Sequence, residues 1–216
     1  MDFRLLGPME ITIAGERVRV GRRQERELLA VLLLQAGRWV PVDRITDLLW
    51  GAAPPARARE TVVTYVSRLR QTLGGAGATG LLERRGDAYR LGVDPLTVDC
   101  HRFEDAARRA AGLADPAERV GVYRSALRLW TGPALTDAPA LTSLAEALEQ
   151  RHREVRRLSF AAHLDAGQGA EILGELAELA AADPLDEDAT TLLMRALAAA
   201  GRRSEALAAF GRLRVR

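Results

Sequence analysis

The hydrophobic period of this chain of 216 residues changes once. Alternating and helical spacing are interleaved up to about residue 95, and from Val98 onward only helical spacing is left. Phe3 and Leu5, then Met9, Ile11 and Ile13, punctuate a run broken by Gly7-Pro8, and Gly15 turns the chain into the alternating Arg17–Val20. Three short antiparallel strands are predicted. A helix follows with Leu28, Leu29, Val31, Leu32 and Leu33 on a wide apolar face, closed by Gly37. A shorter helix covers Asp43–Leu49, with Asp43 as N-cap and Ile45, Leu48 and Leu49 inward. The third runs from Ala58 to Leu73, and Val62, Tyr65, Val66, Leu69 and Leu73 form its buried stripe. Leu81–Arg85 and Ala88–Leu91 around Gly86-Asp87 read as a hairpin. The order to residue 95 is β-β-β-α-α-α-β-β.

Beyond it, Asp99 is expected to cap a helix, with Val98 and Phe103 as a hydrophobic staple. Asp115-Pro116-Ala117-Glu118 is a capping box for a helix with Val120, Tyr123, Leu127 and Trp130 on one face. Ser143 and Glu146 form another, ahead of a helix reaching about Ala166. Helices over 169–182 and 186–200 flank Asp183-Pro184, and a last one runs from Arg203 to the end. Leu193, Leu197, Gly201, Ala206 and Phe210 have tetratricopeptide spacing, with Ala206 allowing close helix approach and Phe210 filling the groove. An ordinary helical hairpin is the alternative.

Composition removes several function classes. All 31 basic residues are Arg, which reads as a GC-rich genome and weakens any argument from Arg over Lys. No stretch approaches the ~20 apolar residues of a membrane span. The opening MDFRLLGPMEI is not a secretory signal, so no membrane partner and a cytoplasmic location are expected. The single Cys100 excludes an internal disulfide or multi-cysteine zinc site, and Cys100 and His101, adjacent on a helix, face different ways. His152 and His163 are too far apart along one helix to share a metal. Gly74-Gly75-Ala76-Gly77 lacks the Lys-Ser/Thr of a phosphate loop. No catalytic residue, metal or cofactor is expected, and the chain is not read as an enzyme.

Binding is better supported. Residues 1–95 hold 15 Arg and 11 acids (+4), whereas 96–216 hold 16 Arg and 18 acids (−2). The face of the third helix opposite its stripe presents Glu60, Thr61, Thr64, Ser67, Arg68 and Gln71, with Arg57, Arg59 and Arg70 at its margins. Arg and hydroxyl groups on a helix can read base edges in the major groove, and Arg84 and Arg85 of the hairpin could reach the adjacent minor groove. A solvated helix face with a surface hairpin is the plain alternative. Three helices followed by a basic hairpin is winged-helix topology, which favours double-stranded DNA.

At this point specific residues become informative. Thr61–Arg70, preceded by Leu49-Trp50-Gly51 and Pro54-Pro55, resembles the DNA-binding domain of Streptomyces antibiotic regulatory proteins, as do Leu5–Pro8 and Gln24–Ala30. Ala126–Trp130, Gly132–Leu135, Asp183–Glu187 and Leu193–Leu207 resemble that family's bacterial transcriptional activation domain. The resemblance implies an α+β OmpR-type winged helix-turn-helix over 1–95 and an all-α, tetratricopeptide-like domain over 96–216, a domain that in the family usually continues past the position of Arg216. It also implies activation of secondary-metabolite (antibiotic) gene clusters, with two protomers on direct repeats recruiting RNA polymerase and its primary sigma factor. By position, Thr61, Thr64 and Arg68 would face bases, Arg70 a phosphate and Arg85 the minor groove. The loop Gly51, Ala52, Ala53, Pro54, Pro55, Ala56 would face polymerase. A protein-interaction adaptor whose winged helix docks on protein is the competing reading.

Overall fold

The computed structural model describes residues 1–183 and 185–214, so Pro184 and the last two positions lie outside the described residues. Contacts divide the chain into two compact units: residues 1–105 with 128–151, and residues 106–127 with those from 152 on.

The first unit is a winged helix. Strands β1 (Asp2–Arg4), β2 (Glu10–Ile13) and β3 (Glu16–Arg17) pair antiparallel in that order, Phe3 opposite Ile11 and Thr12 opposite Arg17. Helices α1 (Arg23–Leu34), α2 (Val42–Trp50) and α3 (Ala58–Gly75) follow. A second sheet has the order β4 (Val40–Pro41), β6 (Ala88–Leu91), β5 (Leu82–Arg85). β4 is an addition to the predicted order, since two residues, one of them proline, carry no readable period. Phe3, Leu28, Leu29, Leu32, Leu33, Ile45, Leu69 and Tyr89 are fully buried here.

Two expected caps are corrected in this unit. Pro41 occupies the N-cap of α2, and Asp43 lies inside its first turn, where the helix dipole still favours an acid. Helix α4 (Asp99–Gly112) starts at Asp99, but that carboxylate turns to the residues that follow β1. It accepts the backbone N–H groups of Leu5 and Leu6 at 2.9 Å, besides that of its neighbour Cys100 at 2.8 Å.

Residues 128–151 complete the same unit. The N–H of Thr131 donates to Leu6 O (2.8 Å), that of Leu135 to Leu5 O (2.9 Å), and that of Met9 to the Asp137 carboxylate (2.7 Å). Gly7 is needed for this approach, because a Cβ there would stand 2.2 Å from Thr131 Oγ1. Trp130 lies past the end of α5 (Pro116–Leu127) and packs edge-on against Phe103 at 5.5 Å, off the α5 face expected for it. Ser143 is not a cap either. A 3₁₀ turn over Pro139–Leu141 runs straight into α6 (Thr142–Asp165), carrying helical backbone past the predicted start.

The second unit is all helical. Asp115 caps α5, its carboxylate accepting the N–H of Ala117 at 2.9 Å. α7 (Leu173–Ala182), α8 (Glu187–Ala199) and α9 (Arg203–Arg214) enclose a core of Phe160, Ile172, Leu176, Leu192, Leu193, Ala196, Leu197, Ala206 and Ala209. Leu193, Leu197 and Ala206 are buried as their spacing requires. Phe210 is not in the groove: Ala209 takes the inward position and Phe210 is 46% exposed.

Asp186 caps α8 by accepting the Ala189 N–H at 2.9 Å and also pairs with Arg157. Burial pushes this carboxyl up, but that N–H and the guanidinium together hold it below the usual Asp range. Its stabilisation is therefore fully present above the ordinary value and is lost as pH falls from there through the lowered value of the folded protein. Asp186→Ala should cost ~1–2 kcal/mol at neutral pH. The difference should begin to narrow below pH ~4 and go on narrowing towards the lowered value, and Asp186→Asn should restore the capping share, as urea titrations at pH 7 and pH 3 would show.

Candidate nucleic-acid interface

α3 buries Val62, Val66, Leu69 and Leu73, four of the five residues predicted for its stripe. Tyr65 is half-buried at the stripe's edge, its ring 6.4 Å from that of Trp50. The opposite face carries Thr64 and Ser67, both exposed, with Thr61 and Arg68 half-buried. Thr61 donates to Arg57 O (2.9 Å) and Thr64 to Glu60 O (3.0 Å), one turn back along the helix. These bonds use the hydroxyl protons and leave oxygen lone pairs and methyl groups outward.

The arginines are held in different ways. Arg57 pairs with Glu60 at 3.6 Å. Arg59 bridges Asp43 on α2 (2.6 Å) and Asp87 in the hairpin turn (3.0 Å), joining three elements at the edge of the face. Arg70 donates from Nε to Leu82 O (2.9 Å), fixing β5 to α3. Arg68 stands 3.6 Å from Glu25 of α1.

The hairpin presents Arg84 and Arg85 beside its two-residue turn. Positive φ at Gly86 (57°), with none at Asp87, is the pattern of a type II′ turn. Arg84 donates to Gly86 O (3.0 Å) and lies 5.9 Å from the Tyr89 ring. Arg85 and Arg90 lie 6.0 and 4.6 Å from the Trp39 ring. Trp39 thus acts as a platform at the base of the wing. Sequence reading missed Trp39 and Glu25. Glu25 had a signal: with Leu28, Leu29 and Leu32 it falls at i, i+3, i+4 and i+7, a carboxylate on the buried stripe of α1.

The loop Gly51, Ala52, Ala53, Pro54, Pro55, Ala56 is exposed throughout. It leaves α2 with positive φ at Gly51 (55°), and Ala58 N–H closes it on Pro55 O at 3.0 Å. Beside it, a cavity of about 430 Å³ is lined by Asp47, Leu48, Trp50, Gly51, Leu141, Ser143 and Leu144.

Catalytic geometry is poor at Cys100 and His101. Burial, with the Asp99 charge, pushes the thiol up to about 12, and His101 Nε2 is engaged 3.0 Å from Leu33 O. Among the described residues, no cluster of three or more His, Cys, Asp or Glu could hold a metal ion. None of their helices is long and apolar enough to cross a membrane.

Comparison with known proteins places this geometry. Residues 98–216 match the family described as bacterial transcriptional activator domain, and residues 15–91 match that described as transcriptional regulatory protein, C terminal. Regulatory protein DnrI of Streptomyces peucetius is 34% identical, covering 99% of this chain and 84% of DnrI. The chain belongs to the Streptomyces antibiotic regulatory protein family of transcriptional activators. Another member, regulatory protein AfsR of Streptomyces coelicolor, is 35% identical over 97% of this chain but only 21% of its own length. A solved structure of Mycobacterium tuberculosis EmbR, in complex with a low-affinity phosphopeptide, superposes with a TM-score of 0.86. It is 32% identical and the match covers 98% of this chain and 58% of that one. This regulator therefore spans about a fifth of AfsR and somewhat over half of EmbR.

Arg85→Ala in this family member should weaken binding to specific and scrambled duplexes alike and lower the salt slope by about 1. Shift assays at several salt concentrations read both quantities. An unaltered slope and affinity would separate the hairpin from DNA.

Proposed function

We propose that the chain activates a secondary-metabolite (antibiotic) biosynthetic gene cluster, binding direct repeats as two head-to-tail protomers and recruiting RNA polymerase. The reading rests on one observation: α3 carries Thr61, Thr64, Ser67 and Arg68 on the face opposite its core stripe, beside a hairpin tipped with Arg84 and Arg85. On this reading Thr61, Thr64 and Arg68 meet base edges in the major groove. Ser67, Arg57, Arg59, Arg70 and Arg84 meet phosphates, and Arg85 enters the minor groove. Arg59 reaches a phosphate by exchanging Asp43 and Asp87 for it, both exposed acids whose attraction is weak in water. One winged helix reads few base pairs, so a second protomer supplies the selectivity a genome demands. The stiff Gly51–Ala56 loop and the mixed polar and apolar cavity beside it are the polymerase contact within the first unit, and the net −2 of residues 96–216 suits protein better than phosphate.

The test is a footprint on genomic fragments followed by shift assays across salt. Two protected half-sites in the same orientation, with log K falling linearly against log salt, are expected. Salt-independent binding, or inverted half-sites, would overturn the reading.

A further inference from the structure

The ion pairs of α3 are unequal. Arg57 and Glu60 are 81% and 70% exposed, and the two acids that hold Arg59 are similarly open, so solvent screens those pairs. Glu25 is different. Its side chain is 6% exposed, and the buried Oε1 has no hydrogen-bond partner. Two guanidinium nitrogens stand near that oxygen, Arg68 Nη1 at 3.6 Å and Arg22 Nε at 3.9 Å. A buried carboxylate attracts counter-charge more strongly than an exposed one, because little water competes. Arg68 is the partner on the face assigned to DNA, and its side chain is 40% exposed.

We infer that Glu25 is a positioning residue for Arg68, holding its guanidinium from behind so that the remaining N–H groups are aimed at one base. This rests on the reading of α3 as the recognition helix. An unrestrained arginine samples many rotamers and must give up that freedom on binding. One anchored at Nη1 keeps Nη2 and Nε in a plane suited to the paired acceptors of guanine. The sequence selectivity of α3 thus depends on a carboxylate of α1 that touches no DNA.

The experiment is a binding-site selection with the full chain, comparing wild type, Glu25→Gln, Arg68→Ala and the double variant, together with side-chain ¹⁵N relaxation of Arg68 in the unbound wild type. Glu25→Gln should reduce discrimination at a single base pair by about fivefold or more, and Arg68→Ala should do so at the same base pair. The double variant should be no worse than Arg68→Ala alone, because one interaction chain is being cut twice. Restricted Arg68 Nε–H motion is expected in the unmutated protein, whatever the stability of the variants. Unchanged selectivity in Glu25→Gln, a gain in affinity there, or a freely averaging Arg68 would overturn the positioning role. Unchanged selectivity in Arg68→Ala would instead overturn Arg68 as a base reader.

Discussion

Replacing Asp99 by alanine should destabilise the winged-helix unit by roughly 3–5 kcal/mol, a large share of the ~5–15 kcal/mol that holds a typical domain folded. The carboxylate accepts the N–H groups of Leu5, Leu6 and Cys100 in a buried setting, and alanine leaves those donors unmatched at ~1–3 kcal/mol each. Leu5 and Leu6 are themselves fully buried, so water cannot replace the lost acceptor without opening the core. Burial pushes the Asp99 carboxyl above its ordinary range, and the three N–H groups with the charge of Arg102 only partly oppose this. A raised value means that the folded protein holds the proton more tightly than the unfolded chain. The stability gap between wild type and Asp99→Ala should therefore widen as pH falls from above the raised value to below the ordinary one. Urea unfolding across pH measures it, and a pH-independent gap would contradict the assignment. The same contacts bear on where the chain can be divided. A fragment ending at residue 95 lacks Asp99 and the 128–151 segment that bonds to Leu5, Leu6 and Met9, and should be far less stable than the unit in the whole protein.

On the proposed function, Leu176→Ala should abolish activation while leaving DNA binding measurable. Leu176 is wholly buried among Phe160, Ile172, Leu192 and Leu193, and truncation there costs ~2–5 kcal/mol through lost burial and the cavity left behind. That is enough to loosen α7 and α8 at working temperature. The substitution lies in the second unit, whereas α3 and the hairpin belong to the first. Transcription with purified polymerase should fall to the unactivated level, and shift assays on the same preparation should retain a salt-dependent complex. Undiminished activation, with the variant shown to be loosened, would refute a polymerase contact by the second unit.

Helix α3, its stripe and the hairpin were legible because each is specified by neighbours in sequence. Val62, Val66, Leu69 and Leu73 mark a face through a 3.6-residue period, and Gly86-Asp87 marks a reversal through local turn geometry. Ala206 was legible for the same reason, whereas Phe210 was misplaced. Spacing names a helical face, and only the neighbours actually present decide whether Phe210 or Ala209 turns inward. Asp43, Asp99 and Ser143 failed as caps for a related reason. Each has the right residue type for a cap, but a proline and a 3₁₀ turn stand ahead of Asp43 and Ser143, and the Leu5 and Leu6 N–H groups draw the Asp99 carboxylate away from its helix.

By itself the sequence determined the order of elements, the winged-helix topology and the basic face of α3, all set by backbone preference and hydrophobic period over a few residues. Only the tertiary structure decided what anchors that face and what ties α4 to the start of the chain. Asp99 meets Leu5 across 94 positions, Arg59 spans α2 and the wing, and Glu25 stands behind Arg68. A buried carboxylate or guanidinium takes whichever opposite charge or N–H the completed core brings within reach, and no local rule encodes that distance.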